Sequence, residues 1–203
     1  MSVIRLEAVG KRYGRKHRWV LKGISAELRH GEAVVLQGPN GGGKSTLLRI
    51  LAGACAPTCG RRLAPRLGSV GYAPDHLGDA PLTVRTHLHH QARIHRANCS
   101  MSIDLAARLA LAPLLDERLH DLSAGSLQKV GLVQALHAGP RVLILDEPFS
   151  AIDTAARIAL CEILAERTGD GAAVIFSHHG AAPAELTIDR CWVLVDGRLR
   201  ESA

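Results

Sequence analysis

One short segment constrains the fold of this chain more than any other. Residues 38–45 read G-P-N-G-G-G-K-S and match the pattern G-x-x-x-x-G-K-S at every fixed position. An apolar run, residues 32–37, precedes the segment, and residues 46–52 follow it with a helical pattern that Gly53 ends. A strand, a glycine-rich loop and a helix in this order form a cradle for phosphate groups. The segment therefore predicts an α/β fold that binds ATP or GTP.

Each part of this phosphate loop has its own task. The glycines let backbone N–H groups turn toward phosphate oxygens, and the N-terminus of the helix adds the positive end of a dipole. Lys44 supplies a point charge for the outer phosphates, and the Ser45 hydroxyl can ligate Mg²⁺. An ordinary glycine-rich turn is the alternative interpretation. The residues predicted to bind the nucleotide are Gly38, Pro39, Asn40, Gly41, Gly42, Gly43, Lys44, Ser45 and Thr46.

A second apolar strand ends in two carboxylates. Residues 142–145 read V-L-I-L and are followed by Asp146 and Glu147. Asp146 is predicted to emerge near the phosphate loop and to hold Mg²⁺ directly or through water. Glu147 is the candidate general base for the water that attacks the terminal phosphate. Acids before a proline can also simply cap a turn, but beside a phosphate loop they favour catalysis.

The remaining pattern predicts one α/β domain with a helical insert. Apolar spacing predicts strands at residues 3–9, 20–28, 70–73, 141–145 and 172–176, a helix at 154–167 and a hairpin at 191–199 turning at Asp196 and Gly197. Short helices that include Leu105, Leu109 and residues 111–115 are expected around breaks at Pro81 and Pro113. We expect a mainly parallel sheet, preceded by an antiparallel β portion. Residues 1–75 and 139–203 would form the nucleotide-binding core, and residues 76–138 a helical subdomain.

Composition excludes several classes of protein. With 47% apolar residues among 203, the chain can bury a core without staples. Its apolar runs are strand-length, far short of the ~20 residues of a membrane-spanning helix. Charges interrupt residues 1–7, so no signal peptide is expected and the cytoplasm is the default compartment. The five cysteines are scattered without paired spacing, which indicates neither a disulfide framework nor a zinc site.

The net charge of +6 suits nucleotide phosphates or an anionic membrane surface. Basic residues are dense at 11–18 and 61–66. Aromatic residues make up only 3% of the chain and do not alternate with the basic ones, so no nucleic-acid partner is expected. Four histidines raise a metal or haem contact as one interpretation, but a solvated or partner-facing helix is favoured: His87, His89, His90 and His95.

A segment between the phosphate loop and the acidic strand resembles the signature of the ATP-binding cassette family. Residues 122–129 read L-S-A-G-S-L-Q-K, against the family pattern L-S-G-G-Q-x-Q-R/K. Leu122, Ser123, Gly125, Gln128 and Lys129 fit, while Ala124 and Ser126 depart from it. The resemblance implies a head-to-tail dimer of ATPase subunits, a homodimer or a heterodimer. In that dimer a second cradle closes over the nucleotide of the partner subunit, formed by Ser123, Ala124, Gly125 and Ser126.

Other family features recur in order along the chain. Tyr13 stands where an aromatic residue stacks on adenine, and residues 150–153 resemble the D-loop, which ends at Asp153. His178 is expected to contact the terminal phosphate and to hold Glu147 and the water in line, with His179 facing elsewhere. Asp75 replaces the usual glutamine. It can ligate Mg²⁺, but it adds negative charge and cannot donate a hydrogen bond.

The resemblance implies an ATPase subunit, using ATP and Mg²⁺, that powers transport through separate transmembrane permease subunits. The chain would then lie on the cytoplasmic face of the membrane. Its small size and short helical insert resemble compact bacterial exporter subunits, so export is expected, with an importer subunit as the alternative. Two alternatives remain, a non-transport ATPase of the same family and a regulatory module with weak hydrolysis. The regulatory reading is favoured by Ala124, Ser126 and Asp75, and opposed by Glu147 and His178.

Overall fold

The computed structural model describes residues 2–14, 16–64, 70–78, 80–180 and 182–202. Within these residues the strands are β1 (Ser2–Lys11), β2 (Leu21–Arg29), β3 (Ala33–Gln37), β4 (Cys59–Leu63), β5 (Val70–Ala73), β6 (Val142–Leu145), β7 (Ala173–Ser177), β8 (Arg190–Val195) and β9 (Arg198–Ser202). The α-helices are α1 (Lys44–Ala52), α2 (Val84–His95), α3 (Cys99–Arg108), α4 (Ala124–Leu136) and α5 (Thr154–Gly169). Two short 3₁₀ helices, Ala112–Leu114 and Leu119–Asp121, precede α4.

A six-stranded sheet in the order β5-β6-β7-β3-β8-β9 forms the centre of the molecule. Its strands run parallel except for β9, which pairs antiparallel with β8 in the predicted hairpin. The carboxyl ends of β3, β5, β6 and β7 therefore share one edge of the sheet, where parallel α/β sheets bind ligands. The phosphate loop and the two acids that follow β6 meet at this edge.

The central strands are buried on both faces, which explains their unbroken apolar runs. Along β6, Val142 and Ile144 pack into one core with α1 and the second sheet. Leu143 and Leu145 pack into the other core, which α4, α5 and the helices after β5 complete. Alternation of side chains along a strand divides the two cores in this way.

A second, antiparallel sheet has the order β2-β1-β4. Strand β4 was missed from the sequence because its five residues, C-G-R-R-L, lack apolar alternation and are mostly exposed at the edge of the sheet. In this strand Arg61 pairs with Glu7 of β1 at 3.1 Å. The predicted basic segment 61–66 thus lies partly in β4, and its positions 65 and 66 are outside the described residues.

The described residues between β5 and β6 form three α-helices, α2, α3 and α4, where the helical insert was predicted. Helix α2 begins after Thr83, whose side chain accepts a hydrogen bond from the Thr86 N–H at 3.2 Å. The predicted helix at 111–115 is instead a 3₁₀ turn that contains Pro113. Helix α4 packs closely on β5, where a Cβ on Gly71 would lie 2.0 Å from the Ala135 carbonyl oxygen. Among the described residues, no helix has both the length and the apolar character to cross a bilayer.

Candidate active site

The phosphate loop joins β3 to α1 in a conformation that requires glycine. Gly38 has φ of +149°, and a Cβ there would lie 2.3 Å from the Leu194 carbonyl oxygen of β8. Gly43, at φ of +101°, is the N-cap of α1. The helix begins at Lys44, so the N–H groups of its first turn lack helical partners and point to the loop side.

Lys44 is buried at the base of the loop, with 7% of its surface exposed. Its Nζ donates to the Gly38 carbonyl at 3.0 Å and lies 3.5 Å from Nε2 of His179. Tyr13 is exposed, and its hydroxyl lies 3.2 Å from the Thr46 hydroxyl. The aromatic ring predicted to stack on adenine is therefore tied to the first turn of α1.

A cleft of about 380 Å³ opens above the loop. It is lined by Val20, Pro39, Asn40, Gly41, Gly42, Gly43, Lys44, Ser45, Thr46, Asp75, Glu147 and His179. The structure thus brings the phosphate loop together with Asp75 and Glu147. The cleft falls in the size range of small-molecule sites.

Asp146 is almost fully buried beside the cleft, with 2% of its surface exposed. Its backbone N–H donates to the Ala73 carbonyl, which fixes it at the end of β6. Its Oδ1 accepts a hydrogen bond from the Ser177 hydroxyl at 2.7 Å, while its buried Oδ2 has no hydrogen-bond partner among the described residues. A buried carboxylate oxygen without a partner fits a cation.

Mg²⁺ fits this donor set together with a bound nucleotide. The described residues hold no cluster of three or more His, Cys, Asp or Glu side chains arranged for a metal. Mg²⁺ in phosphate-transfer sites typically takes one or two carboxylates and completes its shell with phosphate oxygens and water. Asp146 and Ser45 would hold the ion here, and the nucleotide and water would supply the remaining ligands.

Glu147 follows in a left-handed backbone conformation, with φ of +50°. Such a conformation in a residue other than glycine costs about 1–3 kcal/mol and persists only where neighbours enforce it. The Glu147 N–H donates to the Ser177 hydroxyl at 2.8 Å, and its carbonyl accepts from the Gln128 amide and from the Ser150 hydroxyl. Its side chain is mostly buried, with 13% exposed.

His179, not His178, faces Glu147. His179 Nε2 lies 3.0 Å from Glu147 Oε1, an ion-pair distance when the ring is protonated, although the two atoms are not aligned as a hydrogen bond. His178 packs edge-on against Phe149, with ring centroids 6.0 Å apart. The sequence predicted His178 in this position, whereas the structure brings His179 there because Ser177 already points toward Asp146 and Glu147. Side-chain alternation then turns the next residue away and the following one back to the cleft.

The signature residues do not line this cleft. Ser123 caps α4 by accepting from the Ser126 N–H at 3.1 Å, and the two hydroxyls lie 3.0 Å apart. Ser123 and Ala124 are exposed, while Gly125 sits against the Ala151 backbone, where a Cβ would meet the carbonyl oxygen at 2.3 Å. In this single chain the second cradle therefore stands apart from the phosphate loop.

Asp153 has a structural role in the same region. Its carboxylate caps α5 by accepting from the Ala156 N–H at 2.9 Å and forms an ion pair with Lys129 of α4. The hydrogen bond from Lys129, with help from the Ala156 N–H, lowers the pKa of Asp153 to about 2.

Tyr72, in strand β5, has a raised pKa. Burial is the main cause, and the charges of Asp146 and Asp75 add to the shift. That phenol stays neutral near pH 7.

Two residues of this site were not singled out from the sequence. Ser177 bridges Asp146 and Glu147, and Gln128 was noted only as a position that fits the signature pattern. A hydroxyl directly before the predicted catalytic histidine was the one signal for Ser177. The contact of Gln128 joins residues 19 positions apart, and no local pattern reveals it.

Solved structures confirm the fold class. The structure described as the ATP-binding subunit of an ABC transporter has a TM-score of 0.89 and 27% identity, covering 100% of this chain and 90% of that chain. A dimeric bacterial ABC transporter cassette has a TM-score of 0.89 and 23% identity, and the match covers 98% of each chain. The second likeness supports the fold alone.

Sequence comparison gives the family. A zinc import ATP-binding protein, ZnuC of Jannaschia sp. (strain CCS1), is 37% identical over 151 residues, covering 72% of this chain and 60% of that relative. A probable metal transport system ATP-binding protein of Chlamydia muridarum (strain MoPn / Nigg) is 32% identical over 163 residues, covering 72% of this chain and 69% of the relative. The sequence profile described as ABC transporter matches residues 21–150, more than half of the chain. The chain belongs to the ABC transporter family.

Proposed function

We propose that this chain binds and hydrolyses ATP as the ATPase subunit of an ABC transporter. One observation carries the proposal: Lys44, the Asp146 oxygen that no described residue contacts by a hydrogen bond, and the carboxylate of Glu147 converge at one edge of the parallel sheet. A cation for phosphate, a ligand for Mg²⁺ and a base for water are the parts that phosphoryl transfer requires. Family membership and the ATP-binding relatives support the same activity.

In this proposal each residue acts on a defined part of the reaction. The N–H groups of the phosphate loop and the Lys44 ammonium bind the outer phosphates. Bound Mg²⁺ would neutralise part of the phosphate charge. Glu147 orients the attacking water and accepts its proton, and His179, close to both Glu147 and Lys44, keeps the carboxylate directed into the cleft.

We propose that two copies, or two related chains, close head to tail over the nucleotide. The exposed Ser123 and the start of α4 present a hydroxyl and free N–H groups, but they do not line the cleft of their own chain. An ATP held at Lys44 of one subunit can then be closed by Ser123 of the other. A solved cassette of the same fold is described as dimeric.

We propose metal-cation uptake as the process that this ATPase powers, through separate membrane-domain subunits and from the cytoplasmic face of the membrane. The relatives support this assignment, since they are named for zinc import and for metal transport. The sequence prediction of export rested on the small size of the chain and its short helical insert. The names of the relatives favour import over export.

Nucleotide binding tests the core of the proposal. Removing the Lys44 ammonium by Lys44→Ala should weaken Mg-ATP binding about 10- to 100-fold in equilibrium titration, because a charged hydrogen bond to phosphate is lost. Lys22→Ala removes an exposed lysine of β2 and is the matched control. Wild-type affinity in Lys44→Ala would contradict the proposed site.

Cellular zinc tests the direction and the cargo. Cells in which the chain carries Lys44→Ala should accumulate less Zn²⁺ than cells with the wild-type chain if the subunit drives import. Higher accumulation would indicate export. Unchanged Zn²⁺, with ATP binding intact in the wild-type chain, would exclude zinc as the cargo.

A regulatory module with weak hydrolysis is the second candidate. Asp75 lines the cleft and brings negative charge toward the triphosphate, and Ala124 and Ser126 depart from the family signature. ATP binding without turnover, with membrane partners present, would favour this candidate over the ATPase.

A further inference from the structure

Helix α4 is fastened to the loop that carries Glu147, residues 147–153. Three successive contacts join them. The missing Cβ of Gly125 lets the helix approach the Ala151 carbonyl, Gln128 hydrogen-bonds the loop, and Lys129 pairs with Asp153. The start of α4 and this loop therefore form one packed unit.

Gln128 makes the central contact, and its amide is fully used. The side chain is buried, with 6% of the residue exposed. Its Nε2 donates to the Glu147 carbonyl and to the Ser150 hydroxyl, the latter at 3.3 Å, and its Oε1 accepts from the Ala151 N–H at 3.0 Å. One side chain thus bridges three residues of the loop.

These hydrogen bonds hold the backbone of Glu147 in a conformation that is unfavourable without them. Glu147 is left-handed at φ of +50°, a conformation that its side chain disfavours. Ser177 holds the N–H of Glu147 at 2.8 Å, and Gln128 holds its carbonyl from the opposite side. Ser177 lies in β7 of the central sheet, whereas Gln128 lies in α4, the helix that begins with the signature residues.

We propose that Gln128 is a positioning residue for ATP hydrolysis. It locks the carbonyl of Glu147, so that the left-handed turn aims the carboxylate into the cleft beside His179 and Lys44. Because α4 and residues 147–153 are packed together, a displacement of the start of α4 moves the base, which links the state of the signature segment to hydrolysis in the same chain. This inference rests on the proposed function, in which Glu147 is the base.

The test compares three single variants in the full chain. Gln128→Ala removes all contacts of the amide. Gln128→Glu keeps the volume and the acceptor for the Ala151 N–H, but it loses the donor to the Glu147 carbonyl. Gln134→Ala, on the same helix, removes an amide that contacts His87 instead and is the matched control. ATP turnover, KM, ATP affinity and Tm are measured for each.

We expect Gln128→Ala and Gln128→Glu to lower kcat about 10- to 100-fold with ATP affinity close to wild type, since misplacing a reacting group by about 1 Å costs this much. Gln134→Ala should keep the wild-type kcat. In the background of Glu147→Gln, followed by slow single-turnover measurement, Gln128→Ala should lower the residual rate little further, because it acts through Glu147.

The outcomes separate this inference from the proposed function. If wild-type chain does not hydrolyse ATP, or Glu147→Gln hydrolyses it equally fast, the proposed function fails and the inference with it. If Glu147→Gln abolishes turnover but both Gln128 variants keep wild-type kcat, the inference alone is overturned. An equal loss from Gln128→Ala with and without Glu147 would show a merely structural role. If Gln128→Ala does not fold, Gln128→Glu decides.

Discussion

The two loops that meet at the cleft are built in different ways. The phosphate loop, residues 38–43, takes its shape from glycines packed against neighbouring backbone, as Gly38 is against Leu194. The loop after β6, residues 146–153, contains no glycine and takes its shape from side chains of distant elements, Ser177 and Gln128. The first loop is encoded locally. The second depends on the rest of the fold, so it can respond to movement elsewhere.

The largest effect is expected within the phosphate loop. Gly38→Ala should abolish measurable ATP binding, because its Cβ would lie 2.3 Å from a backbone oxygen that cannot move aside. Gly41→Ala adds a Cβ with no atom of the described residues within 4 Å, so it carries only the strain of a positive φ, roughly 1 kcal/mol. Equilibrium titration with Mg-ATP compares them. Equal losses would show that close packing does not shape the loop.

Replacing His178 and His179 by alanine, one at a time, tests the loop after β6. His179→Ala should lower kcat about 10-fold or more, because the group beside Glu147 and Lys44 is lost. His178→Ala removes an edge contact with Phe149 and should cost stability, about 0.5–1.5 kcal/mol, more than rate. Steady-state turnover and thermal unfolding separate the two. A larger loss of kcat in His178→Ala would return the catalytic role to that residue.

Alanine substitution of two glycines in α4 tests how closely this helix must approach the loop after β6, residues 146–153. Gly125→Ala should destabilise the chain by about 1–3 kcal/mol, because its Cβ would lie 2.3 Å from the Ala151 carbonyl oxygen. Among the described residues, a Cβ at Gly131 meets only Leu77, at 3.9 Å, so Gly131→Ala should raise stability by up to about 1 kcal/mol through helix propensity. Denaturant unfolding measures both. A neutral Gly125→Ala would show that α4 and the loop are not tightly joined.

The smallest effect concerns the ion pair of Lys129 and Asp153. The pKa of Asp153 is lowered to about 2 in the folded chain, so the pair adds stability above the ordinary aspartate pKa of 3.8 and loses it as the pH falls toward 2. Asp153→Asn removes the charge but keeps a good N-cap for α5. In thermal unfolding, the Tm of wild type should be higher than the Tm of the variant at pH 5, and this difference should disappear near pH 2. A constant gap would assign the effect to the cap.

Strands with unbroken or alternating apolar runs were predicted well. Residues 70–73 match β5, and the predicted hairpin turns at Asp196 and Gly197. The exposed edge strand β4 was missed because neighbours in the sheet, and not its own side chains, make it a strand. The same reason explains the 3₁₀ turn at Ala112–Leu114, where leucine content indicated a helix but Pro113 and tertiary packing prevailed.

Some parts of the site could likewise be predicted from the sequence, and others could not. Glycine spacing located the phosphate loop, and a strand ending in two acids located Asp146 and Glu147. The orientation of His178 and His179 required the register of β7 against β3 and β6, which pattern alone does not provide. Gln128 required the packing of α4 on the central sheet. Residues that a local backbone conformation requires can be predicted from the sequence, whereas contacts between distant elements become known only from the fold.

The most direct test of the account is phosphate release from ATP by the purified chain with Mg²⁺, compared between wild type and Glu147→Gln. Wild type should release phosphate, and the variant should bind ATP with similar affinity while releasing phosphate at least about 100-fold more slowly, because an amide cannot accept the proton of the water. Equal rates of release in the two chains would contradict the assignment of Glu147 as the base.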